Sequence, residues 1–397
     1  MTIRFSSESP RITIIGGGSI GLCLAWELAQ RDCHVTLVER DSVGRSTSWA
    51  AAGILPPAKF ATATDPIDQL RGYSHELFPD WVQRLTAITG IDTGFRQCGG
   101  WYLANTPGER AAMIGMTDYW QDLQIRCESI SLGEVSQREP QLRDWLNVSL
   151  EATSAWWAPD ECQIRSPDYL KALVAACEKF NVDVQPQTEV TNIESNSNSV
   201  IVSTASSHSD IETDVVIVCS GTWTGMVAPM LQLESSIVPV RGQMLLLKTE
   251  SPYFQSVVNV GHRYLVARED GHTLIGSCEE EVGLNIATTE AAIESLREFA
   301  IELCPNLHGA KEIKTWAGLR PMTFDGFPII GRVPHTRNVY VASGHFRSGL
   351  HLSPATARVL ADEIMGIQPA VDLHPFRVGK QQGPNLVTKT SNQTLPT

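Results

Sequence analysis

The chain has 397 residues, longer than the ~100–200 of an ordinary domain and enough for two cores. Apolar residues make up 42% and charged residues 19%, which excludes a disordered linker protein. The net charge of −13 excludes nucleic acid as the main partner, and an anionic substrate would need a local cationic site set against the protein's own field.

The elements begin with a βαβ pattern. Ile12 to Ile15 is a β-branched run, Ser19 to Arg31 carries Ile20, Leu24 and Leu28 at helical spacing, and His34 to Val38 is a second strand. A parallel sheet follows from this order. Helices are predicted over 66–89, 108–122, 166–180, 288–303 and 353–366, and strands over 182–185, 198–203, 214–219, 237–247, 263–267, 272–276 and 339–343. The alternation in 237–247 and the hairpin signal at Glu269, Asp270 and Gly271 predict an antiparallel sheet. Residues 215 to 233 are uncharged, close to the ~20 that span a bilayer. Gly221, Gly225 and Pro229 and the acidic flanks Asp214 and Glu234 instead predict a buried strand, a turn and a short helix.

The nine cysteines are scattered, with no CxxC and no Cys/His cluster, so neither a zinc site nor a disulfide framework is expected. They read as small core residues of a reducing cytoplasm. The amino terminus lacks the basic, apolar and cleavage-site succession of a secretory signal.

Between the first strand and helix, Gly16 to Gly21 fits G-x-G-x-x-G. Gly16 makes the turn, Gly18 lets backbone approach a pyrophosphate, and Gly21 lets helix pack on strand. The helix start offers free N–H groups and partial positive charge. Glu39 ends the second strand, placed to accept from an adenosine ribose. This fingerprint serves FAD and NAD alike. The small-residue run from Ser46 to Gly53 and a second strand–glycine loop at Val339 to Gly349, with Pro354 early in a helix, suggest one domain that returns to a long ligand from both ends of the chain. FAD fits that arrangement better than a nicotinamide cofactor.

Four blocks resemble the glycine oxidases of the thiamine pathway, within the D-amino-acid oxidase and sarcosine oxidase superfamily. They are the fingerprint with Glu39; Ser48 to Leu55; Trp316 to Pro321 with Asp325 to Gly331; and Gly344 to Gly349 with Ser353 to Thr356. The resemblance runs from about Ile12 to Gly366. It implies an α/β fold in which a Rossmann-like FAD-binding domain (10–95, 156–225 and 322–370) interleaves with an antiparallel-sheet α+β substrate domain (96–155 and 226–321), followed by a tail (371–397), mobile after about residue 377.

The resemblance also implies a site. Arg320 would bind the substrate carboxylate, Tyr264 would add a phenolic hydrogen bond, and Arg347 would lie nearby. Internal ion pairs are the structural alternative for the two arginines, and core packing for Tyr264. Gly16, Gly18, Ser19, Ile20, Gly21, Glu39 and Arg40 would hold the nucleotide, with Val190, Ser220, Gly221 and Trp223 beside it. Ser46, Thr47, Ser48, Ala51, Ala52, Gly53 and Ile54 would follow the ligand, Ile54 standing where these oxidases often have methionine. Gly344, His345, Phe346, Arg347, Ser348, Gly349 and Leu350 would close on it from the other end. Ser348 replaces an asparagine frequent in the family, and His351 enters a normally aliphatic run; both bear on substrate range. His262 and His345 read as hydrogen-bonded neighbours, His351 as buried and satisfied, and Trp316 as a wall between domains. No cysteine stands at 317–318, where covalent flavoproteins of the superfamily carry one, so FAD is expected to be non-covalent.

The implied activity is oxidative deamination of glycine and similar small amines, with hydride transfer to flavin N5 and reoxidation by oxygen to hydrogen peroxide. The implied setting is a cytoplasmic homo-oligomer without a membrane span or a metal. A D-amino-acid dehydrogenase that reduces a quinone and a non-catalytic flavin-binding protein are the alternatives. Oxygen consumption separates the first, and flavin bleaching by anaerobic glycine the second.

Overall fold

The β-branched strand Arg11–Ile15 is buried along most of its length and pairs in parallel with His34–Val38 on one side and Val215–Val218 on the other. The structure, a computed structural model, describes residues 9–148, 153–196, 198–205, 210–229 and 236–379. A six-stranded sheet runs Ile329–Arg332, Val339–Ser343, Val215–Val218, Arg11–Ile15, His34–Val38, Asp183–Gln185, and only Ile329–Arg332 is antiparallel to its neighbour. The chain leaves Arg11–Ile15 in both directions across the sheet. That makes the end of this strand a topological switch point, where open α/β sheets bind ligands.

Helices Ser19–Ala29, Pro66–Thr89, Ser166–Lys179 and Ser353–Met365 cover one face of this sheet. Their core includes the edge-on pair Trp26 and Trp81, with ring centroids 4.7 Å apart. The opposite face packs Val38, Val216 and Val218 against the small antiparallel sheet Val190–Ser195, Val200–Thr204, Ile211–Thr213.

A second sheet of eight strands runs Lys311–Thr323, Ile237–Lys248, His272–Gly276, Arg263–Ala267, Val257–Val260, Gly100–Ala104, Ser154–Ala158, Glu128–Ile130. It is antiparallel except where Val257–Val260 meets Gly100–Ala104. Alternation divides its residues by face. Leu245, Leu247, Leu265 and Trp101 pack with Phe299 and Leu303 of helix Glu290–Leu303, whereas Met244, Val266 and Leu274 pack on the other face with Ala52, Ile54, Tyr264 and Trp316.

The five expected helices all occur, with ends within two residues of prediction. Segment 215–229 is a buried strand, the 3₁₀ turn Gly221–Trp223 and the short helix Thr224–Val227; residues 230–233 lie outside the described residues. Among the described residues no helix is long and apolar enough to cross a membrane. The expected tail begins too early: Val371, Leu373 and Phe376 are buried in the helical core, because three apolar residues at that spacing cover its edge. The remainder of the tail, from residue 380, lies outside the described residues. All nine cysteines are free, and no metal-binding cluster exists among the described residues.

Candidate active site

One cavity of about 1270 Å³ runs from the switch point to the inner face of the eight-stranded sheet. At its first end Gly16 has φ +111°, and a β-carbon there would stand 2.6 Å from the carbonyl oxygen of Cys219. A β-carbon on Gly21 would collide with the carbonyl oxygen of Gly16, so this residue joins helix to strand and does not line the cavity. Gly18 begins helix Ser19–Ala29, which has neither a side-chain cap nor an acidic residue in its first turn. The helix start therefore presents its partial positive charge to the cavity.

Glu39 accepts from the amides of Gly17 at 2.7 Å and Asp41 at 2.9 Å, which fixes its carboxylate at the cavity wall. Arg40 lies over the ring of Trp223, 4.9 Å from its centroid. Ser19, Ile20, Val190, Ser220 and Gly221 complete this end. The Ser220 hydroxyl donates to the carbonyl of Ile15, and Gly221 takes φ +55°, so the chain turns directly behind the switch point.

The run after Ser46 forms the middle of the cavity. Ser48 Oγ accepts from the amide of Ser19 at 2.9 Å, Thr47 donates to the carbonyl of Leu319, and Trp316 Nε1 donates to the carbonyl of Ala50. Trp316 thus joins helix Thr47–Ala50 to strand Lys311–Thr323. The carbonyls of Ala51 and Ala52 accept from Ser166 and Arg268. Gly53 has φ +77°, and a β-carbon there would collide with the carbonyl of Ile164. Ser46, Thr47, Ser48, Ala51, Ala52, Gly53 and Ile54 all line the cavity.

From the far end of the chain, Gly344, His345, Phe346, Arg347, Ser348, Gly349 and Leu350 line it as well. Gly344 has φ +75° and Phe346 φ +47°, the latter an uncommon value for a bulky side chain and one found where sites are built. His345 bridges to Met322, and its Nε2 lies 3.1 Å from Thr356 Oγ1. Burial pushes its imidazole down to about 3, so it is neutral at ordinary pH. His351 is buried against His75, 3.3 Å between ring nitrogens, and burial lowers it well below the usual histidine range. His262 is exposed at the cavity edge.

At the sheet end stand Arg320 and Tyr264. Arg320 Nη1 donates to the carbonyl of Cys278 at 3.0 Å, and Nη2 donates to the hydroxyl of Ser277. Both partners are neutral, and Arg320 has no carboxylate partner among the described residues. Its positive charge is directed and uncompensated. The ring of Tyr264 packs on Gly276, where a β-carbon would stand 2.6 Å from its Cζ. Burial raises the Tyr264 hydroxyl, while Arg320, Ser277 and Arg347 pull it down, with a net rise. The phenol therefore stays protonated and able to donate. Arg347 is half exposed and pairs with Glu279 at 3.3 Å, so the ion-pair alternative describes this residue while it still faces the cavity.

Sequence reasoning did not find Ser277, the Cys278 carbonyl, Gly242 or Gly276, which set the pose of Arg320 and Tyr264. Two glycines on adjoining strands, Gly276 opposite Tyr264 and Gly242 beneath the guanidinium of Arg320, are the signal that could have shown them. The cavity accommodates a dinucleotide on three counts: a glycine cradle at a helix start, an acid at the second strand's end, and a volume above that of an ordinary small-molecule pocket.

The family model for FAD-dependent oxidoreductases (DAO) matches residues 11–363. Glycine oxidase of Pseudomonas aeruginosa is 34% identical over 376 residues, 93% of this chain and 98% of that protein. The bifunctional protein ThiO/ThiG of Trichormus variabilis is 29% identical over 371 residues, 89% of this chain and 52% of that protein. The crystal structure of glycine oxidase from Geobacillus kaustophilus has a TM-score of 0.86 at 29% identity, covering 94% of this chain and 100% of that one. With the family pattern spanning nearly every described element, and with the cradle built to receive FAD, this chain belongs to the DAO family of FAD-dependent oxidoreductases.

Proposed function

We propose that this chain is an amino-acid oxidase, most simply a glycine oxidase, that oxidises glycine, sarcosine and small D-amino acids to the imine, which water hydrolyses to the oxo acid with release of ammonia, or of methylamine from sarcosine. The observation that carries the reading is Arg320: a guanidinium with only neutral partners, beside a protonated Tyr264, in the same cavity as the dinucleotide cradle. In this reading residues 10–95, 156–225 and 322–370 hold the cofactor, and 96–155 with 226–321 hold the substrate.

Bound non-covalently, FAD supplies the two-electron acceptor that the protein's own side chains lack. Arg320 grips the substrate carboxylate with two parallel N–H donors, which a lysine cannot reproduce. Tyr264 donates to the same carboxylate through its hydroxyl. These contacts fix the α-carbon in one place, converting encounter into orientation. Arg347, tethered by Glu279, adds positive potential at the edge of the cavity. Ile54 supplies an apolar wall that excludes water, and Trp316 packs in the same apolar cluster outside the cavity lining. The neutral His345 is a structural hydrogen-bonding group in this scheme.

Oxygen as final acceptor, a homo-oligomer, a cytoplasmic setting and a role in thiamine thiazole formation complete the reading. The resemblance in the four blocks, the ThiO/ThiG relative and the nine free cysteines support these points. The test is a peroxide assay of the flavin-loaded protein across glycine, sarcosine, D-alanine and D-proline. Peroxide formation with these amines is the expected result. Turnover only with an added quinone would assign the dehydrogenase class instead.

A further inference from the structure

The cavity does not end at Tyr264. Asn259 stands opposite Tyr264 in one ladder and opposite Tyr102 in the next, so three side chains form a row on the inner sheet face, and all three line the cavity. Two interstrand spacings, about 10 Å, separate the ends of the row. Above Tyr102 lies helix Pro107–Asp122, which turns Met113, Met116 and Trp120 inward from one face. Trp120 is the buried residue of this helix and meets the ring of Tyr102 edge-on at 5.4 Å. The helix covers the cavity; its methionines are not core residues.

The polar groups at this end have other partners. The Tyr102 hydroxyl donates to the buried carboxylate of Glu161, and Asn259 Nδ2 donates to the same carboxylate at 3.3 Å. Glu109 accepts from the amides of Asn105 and Thr106 at the helix start. Asp68 accepts from Arg71 and from Tyr119, and Lys59 donates to Gln124 at 3.1 Å. The surface left for a ligand is the ring of Tyr102 and two thioether side chains, with Leu103, Ala112, Leu123 and Ile125 lining the same cavity and the exposed His262 at its edge; it is largely apolar and able to adapt in shape.

We propose that this lobe receives an apolar substituent carried by the amino acid that Arg320 holds, an unbranched chain of about four carbons or more. The proposal rests on the amino-acid oxidase reading. The substituent could enter from the α-carbon, as in D-norleucine, or from the nitrogen, as in N-butylglycine; the chemistry the lobe recognises is the same.

The test measures KM and kcat of the flavin-loaded enzyme for glycine, D-norleucine and N-butylglycine, in the native protein and in Met116→Glu. Met113→Glu serves as a second variant, with flavin content and melting temperature confirming the fold. The expected native KM for at least one long amine is about tenfold or more below that for glycine. In either variant kcat/KM for that amine falls about tenfold further than kcat/KM for glycine. KM rising from glycine to both long amines overturns the proposal while leaving the oxidase reading intact, as does an equal loss on all three in both variants. Absence of flavin reduction by every amine overturns both.

Discussion

Arg320 lies across Gly242 of the neighbouring strand, so closely that a β-carbon at 242 would stand 2.5 Å from the guanidinium Cζ. The glycine is part of the carboxylate site, because any side chain there displaces the charge. Arg320→Ala should lower kcat/KM for glycine by about 2–5 kcal/mol, mostly through KM. Arg320→Lys should recover only part of this, and Gly242→Ala should raise KM with Arg320 still present. Steady-state kinetics check all three; native values in Arg320→Ala would contradict the assignment.

Ser277 positions Arg320 through its hydroxyl, and the carbonyl of Cys278 holds the other nitrogen. Ser277→Ala removes one hydrogen bond and leaves the charge. The expected loss in kcat/KM is about 1 kcal/mol, with KM moving more than kcat. Loss as large as in Arg320→Ala would mean that Ser277 touches the substrate itself.

A β-carbon on Gly21 would collide with the carbonyl of Gly16, whereas one on Gly18 would meet only the Ser48 hydroxyl at 3.1 Å. Gly21→Ala should therefore destabilise the fold by about 1–3 kcal/mol through overpacking. Gly18→Ala should be milder in stability and harsher in flavin affinity. Melting temperature and flavin content of the purified variants separate the two effects, and identical behaviour would refute the division of roles.

Glu161 is buried behind Tyr102 and Asn259, and burial pushes its carboxyl up to about 7 from 4.5. A folded-state value above the unfolded one means that the folded form holds the proton more tightly. The stability this contributes is complete below pH about 4.5 and is lost as pH rises through about 7. Glu161→Gln, which cannot ionise, should gain on the native protein as pH rises from about 5 to 8. Parallel melting temperatures across that range would show that Glu161 does not titrate there.

Local pattern made the first βαβ unit and the five helices legible, since Leu24, Leu28, Leu170 and Leu173 repeat at helical spacing beside glycine and proline punctuation. Strand Lys311–Thr323 was not legible as a strand. It opens with exposed Lys311 and Glu312 and contains Gly318 and Pro321, so Arg320 was visible only through its motif. Gly100–Ala104 and Val257–Val260 escaped because they are short and their parallel pairing joins segments more than 150 residues apart. The site was legible where glycines and arginines form blocks. Ser277, Gly242 and Gly276 were hidden because their roles exist only across strand ladders.

The central claim is that one cavity aligns a flavin with a carboxylate anchored by Arg320. Its most direct test is an anaerobic titration of the flavin-loaded protein with glycine, followed by the loss of flavin colour, with Arg320→Ala beside the native protein. The account predicts full bleaching of the native enzyme and a midpoint shifted by about 30-fold or more in the variant. A native protein that takes up no flavin, or two superimposable titration curves, would contradict it.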